Sequence, residues 1–163
     1  MSVRVGILMG SISDKEVMQA TADMLDKFGI GYEWRVMSAH RTPAAAEEFC
    51  SGAKARGIQV LICGAGMAAH LAGAAAAHST LPVIGVPIAA SLDGMDALLA
   101  TVQMPPGLPV ATVAIGRAGA KNAAMLAIQI MALSDEALAQ ALEDDRVQMR
   151  AKVMAADAEL QRR

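Results

Sequence analysis

Only four of the 163 residues are aromatic, Phe28, Tyr32, Trp34 and Phe49, and no basic stretch stands out among 14 lysines and arginines set against 16 acidic residues. With a net charge of -2 and a pI near 5.9, the chain has neither the clustered cations nor the stacking rings of a nucleic-acid binder. It has two cysteines, Cys50 and Cys63. Their spacing fits neither a disulfide framework nor a metal knuckle, and suits free thiols in a reducing cytoplasm. The alanine-rich run Leu71 to Ala77 is flanked by His70 and His78 and broken by Gly73, so no membrane span is expected. Met1-Ser2-Val3-Arg4 leads straight into a strand pattern, which leaves no room for a signal peptide. The phosphate loop of the common NTPases, the Gly-x-Ser-x-Gly elbow and the dinucleotide fingerprint are all missing, as is any His/Cys/carboxylate set at metal-ligand spacing.

Small and aliphatic residues are abundant. The hydrophobic fraction is 55% before 14 glycines are added, against the usual 45–50% with glycine included. One domain of this length has too much surface to hide that excess, so large subunit interfaces and a homo-oligomer are expected. Strand-like and helix-like segments alternate: strands at 3–9, 32–37, 59–63, 82–86 and 109–115, helices at about 14–28, 43–56, up to 78, 93–102 and 119–133. Gly29 and Gly57 serve as stops, and Ser134 as cap of a last helix with Glu136 in its first turn. This pattern predicts an α/β domain, a parallel sheet with helices on both faces. The expected domain spans 1–163, with its core at 3–133 and a helical extension at 134–163. For the charged, alanine-rich tail from Asp144, two readings stay open: a solvated helix with a frayed end, or an arm gripping a neighbouring subunit.

Three polar clusters each follow a strand: Gly10-Ser11-Ile12-Ser13-Asp14, Ser38-Ala39-His40-Arg41-Thr42-Pro43 and Gly64-Ala65-Gly66-Met67-Ala68-Ala69-His70. Strand C-termini of a parallel sheet emerge at one edge, so the clusters are expected to converge on one crevice. In the first, helix-start amides and the Ser11 and Ser13 hydroxyls suit a phosphate, and Asp14 suits ribose hydroxyls; alternatively Ser13 or Asp14 simply caps the helix. In the second, Arg41 offers a planar fork for a phosphate, with His40 and Ser38 beside it. In the third, Gly64 and Gly66 permit close backbone approach, or tight strand-to-helix packing, and His70 faces a ligand or closes the pocket. His78, near a helix end, is read as structural. What remains is proton transfer in a shielded, phosphate-anchored pocket that uses no metal, nucleotide or covalent nucleophile.

These clusters, with Leu71 and with Leu81-Pro82-Val83-Ile84-Gly85-Val86-Pro87, Val102-Gln103-Met104-Pro105-Pro106-Gly107 and Lys121-Asn122-Ala123-Ala124, resemble the 5-(carboxyamino)imidazole ribonucleotide mutases of bacterial purine biosynthesis over residues 3 to 133. The resemblance implies a flavodoxin-like αβα sandwich assembled as a cytoplasmic octamer. It implies a small ribonucleotide substrate and a cofactor-free carboxyl shift from an exocyclic nitrogen to a ring carbon, through transient CO2. It implies that His40 gives a proton to nitrogen and later takes one from the ring carbon. By the same resemblance Ser11 and Arg41 match phosphate contacts and Asp14 a ribose contact. The loop carrying Gly64, Ala65, Gly66, His70 and Leu71 encloses the base and the CO2, and Gln103 to Gly107 lies near the pocket, contributed by another subunit. Met67 and Ala72 stand where many members have Gly and Pro, and the region Ala89 to Gly94 is shorter than in some relatives. The nearest rival, an aminoimidazole ribonucleotide carboxylase using free CO2, would carry Lys at position 41 and polar residues over 66–70. A non-catalytic nucleotide sensor and a purely structural scaffold are the rivals from other classes.

Overall fold

A computed structural model describes residues 2–162. Five parallel strands, β1 (Val3–Met9), β2 (Gly31–Val36), β3 (Val60–Gly66), β4 (Val83–Ile88) and β5 (Ala111–Thr112), form one sheet in the order β2-β1-β3-β4-β5. This is the flavodoxin-like doubly wound order, whose switch point lies between β1 and β3. The helices are α1 (Lys15–Lys27), α2 (Pro43–Ala53), α3 (Leu71–His78), α4 (Met95–Val102), α5 (Arg117–Ala132) and α6 (Glu136–Gln161). By compactness the chain divides into Met1–Ala127 and Ile128–Arg163.

Strand periodicity and glycine stops build the first unit. Ile7, Ile62 and Ile84 stand side by side in register on β1, β3 and β4, all with no exposed surface. Removing each from water is worth about 1.5–3 kcal/mol. On the opposite face, Leu8, Leu61 and Cys63 join Phe49 of α2 and Leu71 and Ala75 of α3 in one buried cluster. Thr101 of α4 packs on that face beside Ala72, against Gly85. α1 covers the isoleucine face, and the Thr21 hydroxyl donates to the Ala120 carbonyl of α5 at 2.8 Å. Gly29 and Gly57 end their helices at φ +66° and +89°, conformations that glycine adopts without penalty.

The sequence pattern overstates β5: only Ala111–Thr112 is strand, where 109–115 was expected. At its start stands Pro109, which has no N–H for a ladder, and at its end the cause lies in β4. The Pro87 carbonyl turns toward this edge, where it accepts from the Gly116 N–H at 2.8 Å, and a proline has no N–H to donate back on that side. In the second unit, the cap of α6 is Asp135, whose carboxylate accepts from the Leu138 N–H at 3.1 Å, while the expected cap Ser134 donates its hydroxyl to the Met131 carbonyl. α6 continues to Gln161, and every described residue from 146 onward is exposed. Among the described residues no helix is long and apolar enough to cross a membrane.

Candidate active site

β1, β2 and β3 end at the same edge, and the loops that leave them enclose a cavity of about 540 Å³, within the usual size range for small-molecule sites. Ser11, Ser13 and Asp14 line it from the first loop, Ser38, His40 and Arg41 from the second, Ala65, Gly66, His70 and Leu71 from the third. A second hollow of about 470 Å³ between α1 and the start of α5 carries Asp23, Arg117 and Lys121 but neither histidine nor hydroxyl.

The first loop is held by its own side chains. Ser11 Oγ accepts from the Ser13 N–H at 3.3 Å and from the Ser13 hydroxyl at 2.9 Å, and the Ser11 N–H donates to Asp14 Oδ2 at 3.1 Å. The capping function is thus shared by Ser11 and Asp14. Ser11 Oγ already accepts twice, so its own O–H remains to donate outward. Burial, partly offset by the Ser11 N–H and the Arg41 charge, holds the Asp14 carboxyl above its ordinary value.

The second loop closes on itself through Thr42. The Thr42 hydroxyl accepts from the Ser38 N–H at 2.9 Å and donates to the Ser38 carbonyl at 3.1 Å, and Pro43 starts α2 immediately after. Ser38 Oγ accepts from the Arg41 N–H at 3.1 Å and from Arg41 Nε at 3.4 Å, which again leaves a hydroxyl proton free. Arg41 Nη2 donates to the Gly10 carbonyl at 3.0 Å. The guanidinium is thereby tied to the first loop with its remaining N–H groups unspent. Two outward hydroxyls and an oriented guanidinium are groups that can receive an anion.

The same cavity is lined by a pair of imidazoles. His40 Nε2 and His70 Nδ1 are 2.8 Å apart, with ring planes at 83°. His70 immediately precedes α3, and its carbonyl accepts from the Ala74 N–H at 2.9 Å. The third loop is otherwise nearly free of side-chain polar groups. Gly66 lets β3 lie close to β4: a Cβ there would sit 3.0 Å from the Ile88 carbonyl oxygen and 3.3 Å from Ala90. Gly64 does not line the cavity; a Cβ there would meet Met18 Sδ at 2.5 Å, so its small size serves packing against α1.

Met67 takes φ +55° and is 60% exposed at the cavity lip. This is the left-handed region, costly for any residue with a Cβ, and it suits the glycine that the family resemblance implies here. Ala72, in the first turn of α3, sits where proline loses no helical hydrogen bond.

Sequence reasoning missed Ala90, which lines the cavity just beyond β4. The only signal was its place at the end of a fourth parallel strand, because it has no polar group to mark it. Leu92 and Asp93 beside it adopt φ +44° and +53° in a tight turn. None of Gln103 to Gly107 lines this cavity in the single chain; Met104 packs instead near Gly73 of α3. Burial pushes the Cys50 thiol up to about 11 and that of Cys63 well above its usual range, so both are inert thiols far from nucleophilic form.

The profile described as AIR carboxylase matches residues 4–152. The chain is 53% identical over 154 residues to the N5-carboxyaminoimidazole ribonucleotide mutase of Vibrio parahaemolyticus, covering 94% of this chain and 96% of that one. It is 56% identical to the enzyme of the same name from Brucella melitensis, over 90% of this chain and 91% of the relative. The crystal structure of Treponema denticola PurE superposes with a TM-score of 0.87 at 30% identity, over 96% of this chain and 97% of that one.

Proposed function

The chain belongs to the AIR carboxylase family, and on that premise we propose that it acts as a mutase on 5-(carboxyamino)imidazole ribonucleotide in purine biosynthesis. The observation that carries this reading is the meeting of an anion receptor and an acid–base imidazole in one cavity. Arg41, the free O–H groups of Ser11 and Ser38, and His40 all line it.

In this reading Ser11, Ser13, Ser38 and Arg41 hold the phosphate, and Asp14 receives ribose hydroxyls. Ala65, Gly66, His70 and Leu71 shape the enclosure for the heterocycle, with Gly64 behind them. His40 gives a proton to the exocyclic nitrogen as the N–C bond breaks, releasing CO2 inside the cavity. The electron-rich ring carbon then attacks that CO2, and His40 recovers a proton from the same carbon. One proton is given and one is taken, so the reaction is an isomerisation that consumes no cofactor. Acid–base catalysis of this kind contributes roughly 10²–10⁴-fold, and keeping CO2 beside the nucleophile adds an effective-concentration gain.

A homo-oligomer, taken as an octamer, fits the outward apolar stripe of Met95, Leu99 and Val102 on α4. A cytoplasmic setting fits two buried free thiols. The family description itself favours a second reading, carboxylation of aminoimidazole ribonucleotide by free CO2. One assay separates them: the carboxyamino ribonucleotide as sole substrate, against aminoimidazole ribonucleotide with bicarbonate. Rapid turnover of the former is expected; rapid turnover of the latter alone would replace the mutase reading. His40→Asn is expected to lower turnover about 10²–10⁴-fold while the melting shift produced by the ribonucleotide persists. Retained turnover in that variant would remove His40 from the chemistry.

A further inference from the structure

The contact between His40 and His70 joins turns that leave β2 and β3, thirty residues apart. Both turns are pinned: Ser38 and Thr42 close the first, and the Ala74 N–H holds the His70 carbonyl in the second. At 2.8 Å two bare ring nitrogens would set lone pair against lone pair, and two N–H groups would collide. One hydrogen therefore lies between Nε2 of His40 and Nδ1 of His70.

We infer that His70 is a positioning residue that sets the tautomer of His40 through this single shared proton. The inference deepens the acid–base reading of His40 and rests on it for its effect on turnover. A histidine's tautomer is ordinarily set by a carboxylate or backbone carbonyl at one ring nitrogen. Here each ring takes that role for the other. If His40 donates, its Nδ1 is bare and His70 carries hydrogen on Nε2; if His70 donates, His40 carries hydrogen on Nδ1. The tautomers of the two rings are therefore linked: whichever ring donates, the other accepts. Asp14 and Arg41 are the other ionisable groups lining the cavity, and among the described residues the hydrogen bond made by either imidazole ring is the one to the other.

The test begins with the intact protein labelled with 15N-histidine, whose three histidines are assigned by single substitution. Long-range 1H–15N spectra are expected to place one hydrogen between Nε2 of His40 and Nδ1 of His70, and His70→Phe is expected to change the balance of the two His40 tautomers. An unchanged His40 tautomer balance in His70→Phe would overturn the inference, whatever reaction the enzyme performs. In the turnover assay, His70→Phe is expected to lower kcat about 10–100-fold with KM within about threefold, and His70→Asn, whose amide again offers hydrogen-bonding groups, to recover most of the loss. A raised KM with kcat unchanged in His70→Phe would make His70 a ligand contact only. Should the mutase assay fail altogether, the His40 tautomer still decides the pairing.

Discussion

The loop after β1 and the loop after β3 meet across one cavity and are built in opposite ways. In the first, Ser11, Ser13 and Asp14 satisfy one another's hydrogen bonds, and Arg41 reaches over to the Gly10 carbonyl. The donors left over are already aimed, so an anion entering there meets dipoles that need not reorganise. In the second, the shape comes from tight backbone contact, with Gly66 against Ile88 and Gly64 against Met18, and Met67 is held in a conformation glycine would prefer. One loop is organised by polar side chains and the other by the near absence of side chains. Substitutions in the first are therefore expected to change binding and chemistry, and substitutions in the second to change stability first.

The largest departure would come from Arg41→Lys, which keeps the charge and loses the fork. A lost charge-assisted hydrogen-bond pair is worth about 1.5–3 kcal/mol, so KM for the phosphorylated substrate is expected to rise about 10–100-fold with little change in melting temperature. A fall in Tm with KM intact would reverse the roles assigned to the two loops. Gly64→Ala forces a Cβ onto Met18 and is expected to cost about 1–3 kcal/mol by overpacking, read as a lower Tm with KM nearly unchanged. Met67→Gly should stabilise modestly, by up to about 1 kcal/mol, because relief of the left-handed strain outweighs the added freedom of the unfolded chain. A destabilised Met67→Gly would mean that the exposed thioether contributes packing at the lip.

The smallest expected effect concerns pH. Burial raises the Asp14 carboxyl above its ordinary value of 3.8, so the folded protein binds that proton more readily than the unfolded chain. Stability from this group is then lost as pH rises from 3.8 through the folded value. Asp14→Asn removes that loss and keeps an acceptor for the Ser11 N–H. Its Tm relative to the parent protein is expected to be highest near neutrality and to fall back as the medium approaches pH 4. A gap that widened on acidification would mean that the carboxylate is stabilised in the fold.

The alternation of strands and helices and the edge at which the polar clusters emerge were legible in the chain, because both depend on patterns of four to eight residues. The limits of such reading show at particular residues. β5 ends early because of a proline in a different strand, Pro87, which nothing in 109–115 announces, whereas its late start was open to reading from Pro109 within the segment. Ser134 and Asp135 are both good caps, and the backbone extension at Asp135, φ -141°, selected between them. Gly64 and Gly66 look alike as neighbours in a Gly-Ala-Gly run and share a face of β3, yet Gly64 lies under Met18 of α1 while Gly66, at the strand's end, lies beside the cavity. Ala90 was silent because a methyl group carries no chemical signature.

Local chemistry along the chain determined the parallel α/β architecture, the edge that carries the hydroxyls, the guanidinium and the imidazoles, and the residue types available there. Hydrophobic period and turn-forming residues act over a few positions, and their consequences need no partner. Tertiary structure alone decided that His40 and His70 share a hydrogen, that Arg41 ties two loops together and that Met67 stands strained at the lip. Each of these depends on where segments thirty or so residues apart are brought by strand register and side-chain packing, and a contact of 2.8 Å between two rings exists only once both strands are in place.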